Sequence, residues 1–253
     1  LRLFAAIVLK NNTGTFWRHS NAQNAHKEKE RAAMLQALHQ EPDATIATQL
    51  TLLVVEIARL DWPQNWPALL PALIKQAQTT NVQLAGRGVW TLAETLKAML
   101  PKFHQKDLAD ALRAAFAPNV APIAQLWQAY LQQTISQLQA MLEKLGNASG
   151  TDTAQQKQQM VTGVVQLLEV SVRSTLCVTN ILLGGVTDAS ASGECATVFT
   201  AIGRCLPPLL KQLVPLRAAA KQLGGDARER ARQLHESLTL KLVQLVSMCH
   251  KAQ

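Results

Sequence analysis

Two Trp-Pro pairs, Trp62-Pro63 and Trp66-Pro67, stand four residues apart between two apolar stretches of helical period, and they constrain the fold more than any other feature of the chain. A proline disfavours the α conformation in the residue before it, so a helix arriving from the amino side has to stop at Trp62. Proline is well tolerated as the first residue of a helix, so Pro67 predicts the start of the next one, which would bury Leu69, Leu70, Leu73 and Ile74. The expected result is a sharp corner whose two indoles fill the gap between neighbouring helices. Trp is also enriched where proteins grip their partners, but a packing role fits this spacing better. Asp61, just before the corner, is expected to accept hydrogen bonds from backbone amides of the turn.

Helical period recurs along the chain. Within residues 44–60, Ile46, Leu50, Leu53, Val54, Ile57 and Leu60 repeat at the i, i+3, i+4, i+7 spacing of a buried stripe, and the other face carries Thr48, Glu56 and Arg59. The same reading predicts helices over residues 24–39, 67–78, 82–100 (closed by Pro101), 106–145 (interrupted at Pro118 and Pro122), 154–183, 197–223 (broken near Pro207, Pro208 and Pro215) and 226–251. Residues 1–10 read as the last turns of a helix already under way, before a polar loop at Thr13-Gly14, so the sequence is expected to open inside a repeat. Residues 146–153 are small and polar, which marks a surface loop. First helices of successive pairs begin near residues 24, 66 and 106, spacings of 42 and 40 that fit the ~40 to 47 residue period of HEAT and armadillo units. The fold class expected is all-α, a right-handed α-solenoid of HEAT-like antiparallel helix pairs.

Charge and cysteine narrow the function. The net charge is +8, and from Arg204 onward nine Lys and Arg face three Asp and Glu, a local excess of +6. Such a segment suits an acidic protein or a nucleic acid, or is simply a solvated helix face. No aromatic residues interleave with it, which disfavours stacking on single strands. Cys177, Cys195, Cys205 and Cys249 show no C-x-x-C spacing and read as reduced structural thiols. No apolar run reaches the ~20 residues a membrane-spanning helix needs, so no membrane insertion is expected.

Chemistry is sparse. The chain lacks G-x-x-x-x-G-K-[ST], G-x-S-x-G and H-E-x-x-H. Cys249, His250 and His235 come nearest to a metal cluster, but the adjacent pair points to different helix faces and no fourth ligand is apparent. The expectation is a binding protein, with no catalytic residues, cofactor or metal.

The stretch Ile57-Ala58, Asp61-Trp62-Pro63, Trp66-Pro67, Leu69-Leu70 resembles the helical-repeat corner of the importin-beta (karyopherin) family of nuclear transport receptors. Leu9-Lys10-Asn11 followed by Phe16-Trp17-Arg18 is similar to an upstream segment of the same family, and Ile46-Ala47-Thr48-Gln49 leading into Ile57 resembles its importin eleven branch. The resemblance covers residues 1–100, read as importin-beta N-terminal-type HEAT repeats with the first one truncated; 101–253 would continue the repeats and end in the basic segment. Missing earlier repeats would leave an apolar face of the first helix uncovered.

What the resemblance implies is a receptor that binds the GTP form of the small GTPase Ran, carries protein cargo past nuclear pore proteins, and shuttles between cytoplasm and nucleus. The family grips Ran through second helices of its earliest repeats, here residues 1–11 and 44–60. Lys10, Asn11, Gln49, Glu56 and Arg59 are the Ran-binding residues this implies, while Asp61, Trp62, Pro63, Trp66 and Pro67 form the structural corner. Two other readings stay open: a HEAT-type scaffold without a transport role, and, more weakly, a helical nucleic-acid-binding protein using the basic segment.

Overall fold

The computed structural model describes residues 1–19, 24–103, 105–146, 154–184 and 225–251, and every regular element among them is a helix. They are α1 (Arg2–His19), α2 (Asn24–Gln40), α3 (Ala44–Asp61), α4 (Leu69–Ala77), α5 (Val82–Phe103), α6 (Lys106–Gly146), α7 (Ala154–Leu183) and α8 (Gly225–Lys251). The architecture is the expected all-α helical repeat. None of the described helices is long and apolar enough to cross a membrane. The chain divides into two compact units, Leu1–Asn119 and Val120–Gln253.

In the first unit α1, α3 and α5 lie side by side, α3 packing on both neighbours, and α2 and α4 back them as the partners of α3 and α5. Each repeat is thus an antiparallel pair that buries its apolar face against the next. Asp43 caps α3, its carboxylate accepting from the amides of Thr45 and Ile46 at 2.8 and 3.0 Å, and these bonds hold its carboxyl below the usual carboxylate range. Asn81 caps α5 in the same way, with its side-chain oxygen 3.0 and 3.2 Å from the Gln83 and Leu84 amides. Because α3 is flanked on two sides, its buried face is wider than a single stripe: Ala47, Thr51, Val55 and Ala58 are buried beside Ile46, Leu53, Val54 and Ile57, whereas Leu50 and Leu60 are half-buried. Thr51 and Thr91 pair their hydroxyls at 3.1 Å across α3 and α5.

Four boundaries differ from the sequence expectation. The loop at Thr13-Gly14 does not form; α1 continues to His19. The polar side chains that suggested a break bond back to their own helix, Asn12 to the Val8 carbonyl at 2.8 Å and Thr13 to the Leu9 carbonyl at 2.6 Å, and Trp17 anchors the last turn in the core. α4 begins at Leu69, since Pro67 and Ala68 form a turn closed by the Leu69 amide on the Trp66 carbonyl at 3.2 Å. Pro101 does not close α5, which runs one more step to bury Phe103 against Phe116, ring centres 5.2 Å apart. Pro118 and Pro122 do not interrupt α6. Each costs about 3 kcal/mol in a helix interior, and burial of Phe116, Val120, Ile123 and Trp127 around them offsets that cost. The helices expected over residues 197–223 fall outside the described residues.

α1 leaves Phe4 69% and Phe16 71% exposed, with Val8 and Leu9 also at the surface. In the second unit α7 packs on α8. α6 meets α7 through hydroxyls: Trp127 Nε1 donates to Thr175 at 3.0 Å and Thr134 pairs with Ser171 at 2.7 Å. Cys177 is buried there, and burial pushes its thiol up.

Gly88 shows how closely α4 and α5 approach. A Cβ at this position would lie 2.8 Å from the Ala77 nitrogen and 3.1 Å from its Cα, and backbone cannot swing aside. Gly88→Ala gains about 1 kcal/mol of helix propensity, yet overpacking of a close contact costs about 1 to 3 kcal/mol. The expected outcome is a lower urea midpoint than wild type; an unchanged or raised midpoint would show that the two helices separate freely.

Candidate functional site

The corner after α3 is built on a buried ion pair. Trp62 ends α3 in an extended conformation, φ −81° and ψ 140°, with a cis bond to Pro63. Its ring meets the edge of Phe116 at 4.5 Å and is 2% exposed; Trp66 is buried too. Asp61 does not serve the backbone amides of the turn, as the sequence suggested. Its carboxylate accepts from Trp17 Nε1 at 2.8 Å and from Arg31 Nε at 2.8 Å, with Arg31 Nη2 a further 2.6 Å contact off the line of its N–H. Arg31 also donates to the Asn65 carbonyl and lies about 6 Å from the rings of Trp17 and Trp66, within cation–π range. Aspartate, arginine and two indoles therefore lock α1, α2 and the corner together, which fixes where α1 stands relative to α3.

A groove of about 700 Å3 lies between α1, α3 and the end of α5. α1 contributes Lys10, Asn11, Gly14, Thr15 and Arg18; α3 contributes Leu52, Val55, Glu56 and Arg59; the end of α5 contributes Ala98 and Pro101. Its floor is apolar and its rim mostly cationic. Glu56 and Arg59 pair along the helix at 3.2 Å, and Gly14 keeps α1 clear of them, because a Cβ there would come 3.1 Å from the Glu56 carboxylate. Lys102, at the end of α5, donates its amine to the Arg59 carbonyl. Burial and the neighbouring Arg59 guanidinium push that amine below the usual lysine range.

Of the residues singled out in the sequence, Lys10, Asn11, Glu56 and Arg59 therefore line one groove, and Gln49 lies outside it, half-buried on α3. Arg18 and Gly14, which line it as well, were missed, as was Lys102, which lies outside the lining and bonds the Arg59 carbonyl. Arg18, Arg59 and Lys102 recur at intervals of 41 and 43 residues, near the ends of three successive helices of one layer, so the repeat period itself could have found them. A second polar junction joins the same helices at their other end: Glu41 pairs with Arg2, its backbone carbonyl accepts from Arg87, and its side chain takes the Asp43 amide at 3.0 Å. That amide, and then Arg2, hold the Glu41 carboxyl below its ordinary value.

The basic carboxyl segment is less exposed as charge than its sequence suggests. Within α8, Arg232 is tied to Glu229 and Glu236 at 2.7 Å each, and Arg230 reaches Glu169 of α7 at 3.4 Å. Arg204, Lys211, Arg217 and Lys221 fall outside the described residues, as do Cys195 and Cys205 and the side chains of Cys249 and His250.

Residues 43–151, from the cap of α3 to beyond the end of α6, match the family model described as Exportin 1-like protein. The chain is 30% identical over 105 residues to Importin-11 of Mus musculus and, to the same degree, to Importin-11 of Homo sapiens. The aligned part is 40% of this chain and 11% of each relative, so the match spans about a tenth of the relatives' length. No solved structure matches significantly.

Proposed function

We propose, because residues 43–151 match the Exportin 1-like family model and the chain is 30% identical to Importin-11 over 105 residues, that it is a member of the importin-beta family and serves nuclear transport, binding the GTP form of Ran through α1 and α3 and working with protein cargo and nuclear pore proteins while shuttling between cytoplasm and nucleus. The observation that carries the reading is the groove. Lys10, Asn11, Glu56 and Arg59 came from a family resemblance in two separate segments, and they converge on one accessible surface. Helices stacked in a repeat array suit such work, since small rotations at each interface add up. If Ran and cargo favour different arrangements, each lowers the affinity for the other by the same coupling free energy. In this reading residues 1–100 are the receptor-type repeats and 101–253 continue them.

The test is a pull-down with Ran locked in its GTP or GDP form. The GTP form is expected to be retained and the GDP form not. Exchanging the charges, Glu56→Arg with Arg59→Glu, keeps an ion pair within α3 but inverts the surface, and is expected to abolish retention. Equal retention of both nucleotide forms, or of neither, would leave a plain helical scaffold as the better account.

A further inference from the structure

We propose that the groove between α1, α3 and the end of α5 takes an acidic segment of a partner protein, with an apolar side chain of that segment seated on the groove floor. The proposal rests on the reading of this groove as a partner surface and adds the chemistry of what enters it. The rim carries Lys10, Arg18 and Arg59 against one carboxylate, Glu56. That carboxylate is already engaged by Arg59 at 3.2 Å, and among the described residues neither Lys10 nor Arg18 pairs with an acid. The apolar lining is Leu52, Val55 and Ala98, which are buried or half-buried, with the exposed Pro101 at its edge.

The blander account is that Arg18, Arg59 and Lys102 merely complement the negative ends of three helices. A helix end, though, carries only about half a negative charge, and here each meets a full positive one, so the row is cationic in excess. Lys102, whose amine meets the Arg59 carbonyl, is pushed down first by its burial and second by the Arg59 guanidinium, so positive charge is crowded at Arg59. An anion in the groove relieves this crowding. A nucleic acid would supply anions too, but the rim has no aromatic side chain on which bases could stack and its floor is aliphatic, which favours a peptide with alternating acidic and apolar residues.

Fluorescence anisotropy with a fluorescein-labelled peptide of alternating Glu and Leu tests this on the whole chain. Binding is expected to weaken as salt rises and to fall by at least about tenfold, or about 1.4 kcal/mol, in Lys10→Glu/Arg18→Glu, which leaves the Glu56–Arg59 pair intact. Arg18→Glu alone is expected to weaken it less, and Arg228→Glu on α8 not at all, with circular dichroism confirming helix content. A Lys-for-Glu peptide should not bind, and a Ser-for-Leu peptide should bind more weakly. Equal loss in Arg228→Glu would overturn the proposal, since attraction would then follow the net charge of +8 and not this groove. Displacement of the peptide by oligouridylate as readily as by unlabelled peptide would overturn it as well, as would absence of binding. If GTP-loaded Ran is retained but the peptide is not, the acidic-segment inference falls and the transport reading stands; the reverse pattern removes Ran and keeps the groove chemistry.

Discussion

Arg31→Ala is expected to destabilise the Leu1–Asn119 unit by about 3 to 5 kcal/mol, the range for removing one partner of a buried ion pair. The side chains of Arg31 and Asp61 are only 4% and 7% exposed. Removing the guanidinium leaves the Asp61 carboxylate facing Trp17 alone, strands the Asn65 carbonyl, and takes a cation from between two indoles. Loss of that magnitude is a large part of the ~5 to 15 kcal/mol that holds a typical domain folded.

Urea unfolding read by tryptophan fluorescence measures it, because Trp17, Trp62, Trp66 and Trp90 belong to this unit and only Trp127 to the other. A second expectation separates a pair from two independent sites. Asp61→Ala alone should cost as much as Arg31→Ala, and the double variant should fall short of the sum by about 1 to 3 kcal/mol, since the second removal relieves the orphaned charge left by the first. Strict additivity would mean that the two groups are solvated separately and that the corner is held by its aromatic packing.

How much of this was legible beforehand depends on the range of the interaction. The helices α2, α3, α7 and α8 follow from local period and local punctuation, and Trp62 stops α3 because a following proline acts on the residue beside it. Of the four boundaries that went astray, the start of α4 turned on a local turn at Pro67 and Ala68, and the other three turned on tertiary burial. Thr13-Gly14 looks like a loop until Trp17 is seen to be anchored by Asp61, 44 residues away. Pro101, Pro118 and Pro122 look like breaks until Phe103 and Phe116 are seen to pack together. Arg31 is the clearest case. In sequence it is one more charge on a polar helix, Lys27, Glu28, Lys29 and Glu30 preceding it, and nothing local distinguishes the one that is buried. At the groove, the repeat offered more than was taken from it: Arg18, Arg59 and Lys102 keep the helix-pair spacing, whereas Gln49 shares a helix with Glu56 and Arg59 but lies outside the groove. Trp90 makes the same point within α5, half-buried although its helix is largely apolar, while Trp127 is fully buried.

Trp62→Ala is expected to cost a further large share of the first unit's stability, about 3 to 5 kcal/mol, typical of emptying a buried aromatic site. The ring fills the space after α3 and meets the edge of Phe116, which in turn packs on Phe103 from the end of α5. Three aromatic side chains from three consecutive parts of the repeat thus form one cluster, and an edge-to-face contact of this kind adds about 0.5 to 1.5 kcal/mol to simple burial. Trp62→Phe keeps an aromatic edge against Phe116 with less volume, so it is expected to recover more than half of the loss. Phe116→Ala should be costly on its own and less than additive with Trp62→Ala, since either deletion already removes the contact between them. The measurement is the urea midpoint with its slope, the slope showing whether the unit still unfolds as one. If Trp62→Ala cost under about 1 kcal/mol, the ordinary scale for a surface or tolerant site, the corner would be fixed by the Arg31–Asp61 pair alone, and the two Trp-Pro pairs would shape the turn through their prolines without their indoles.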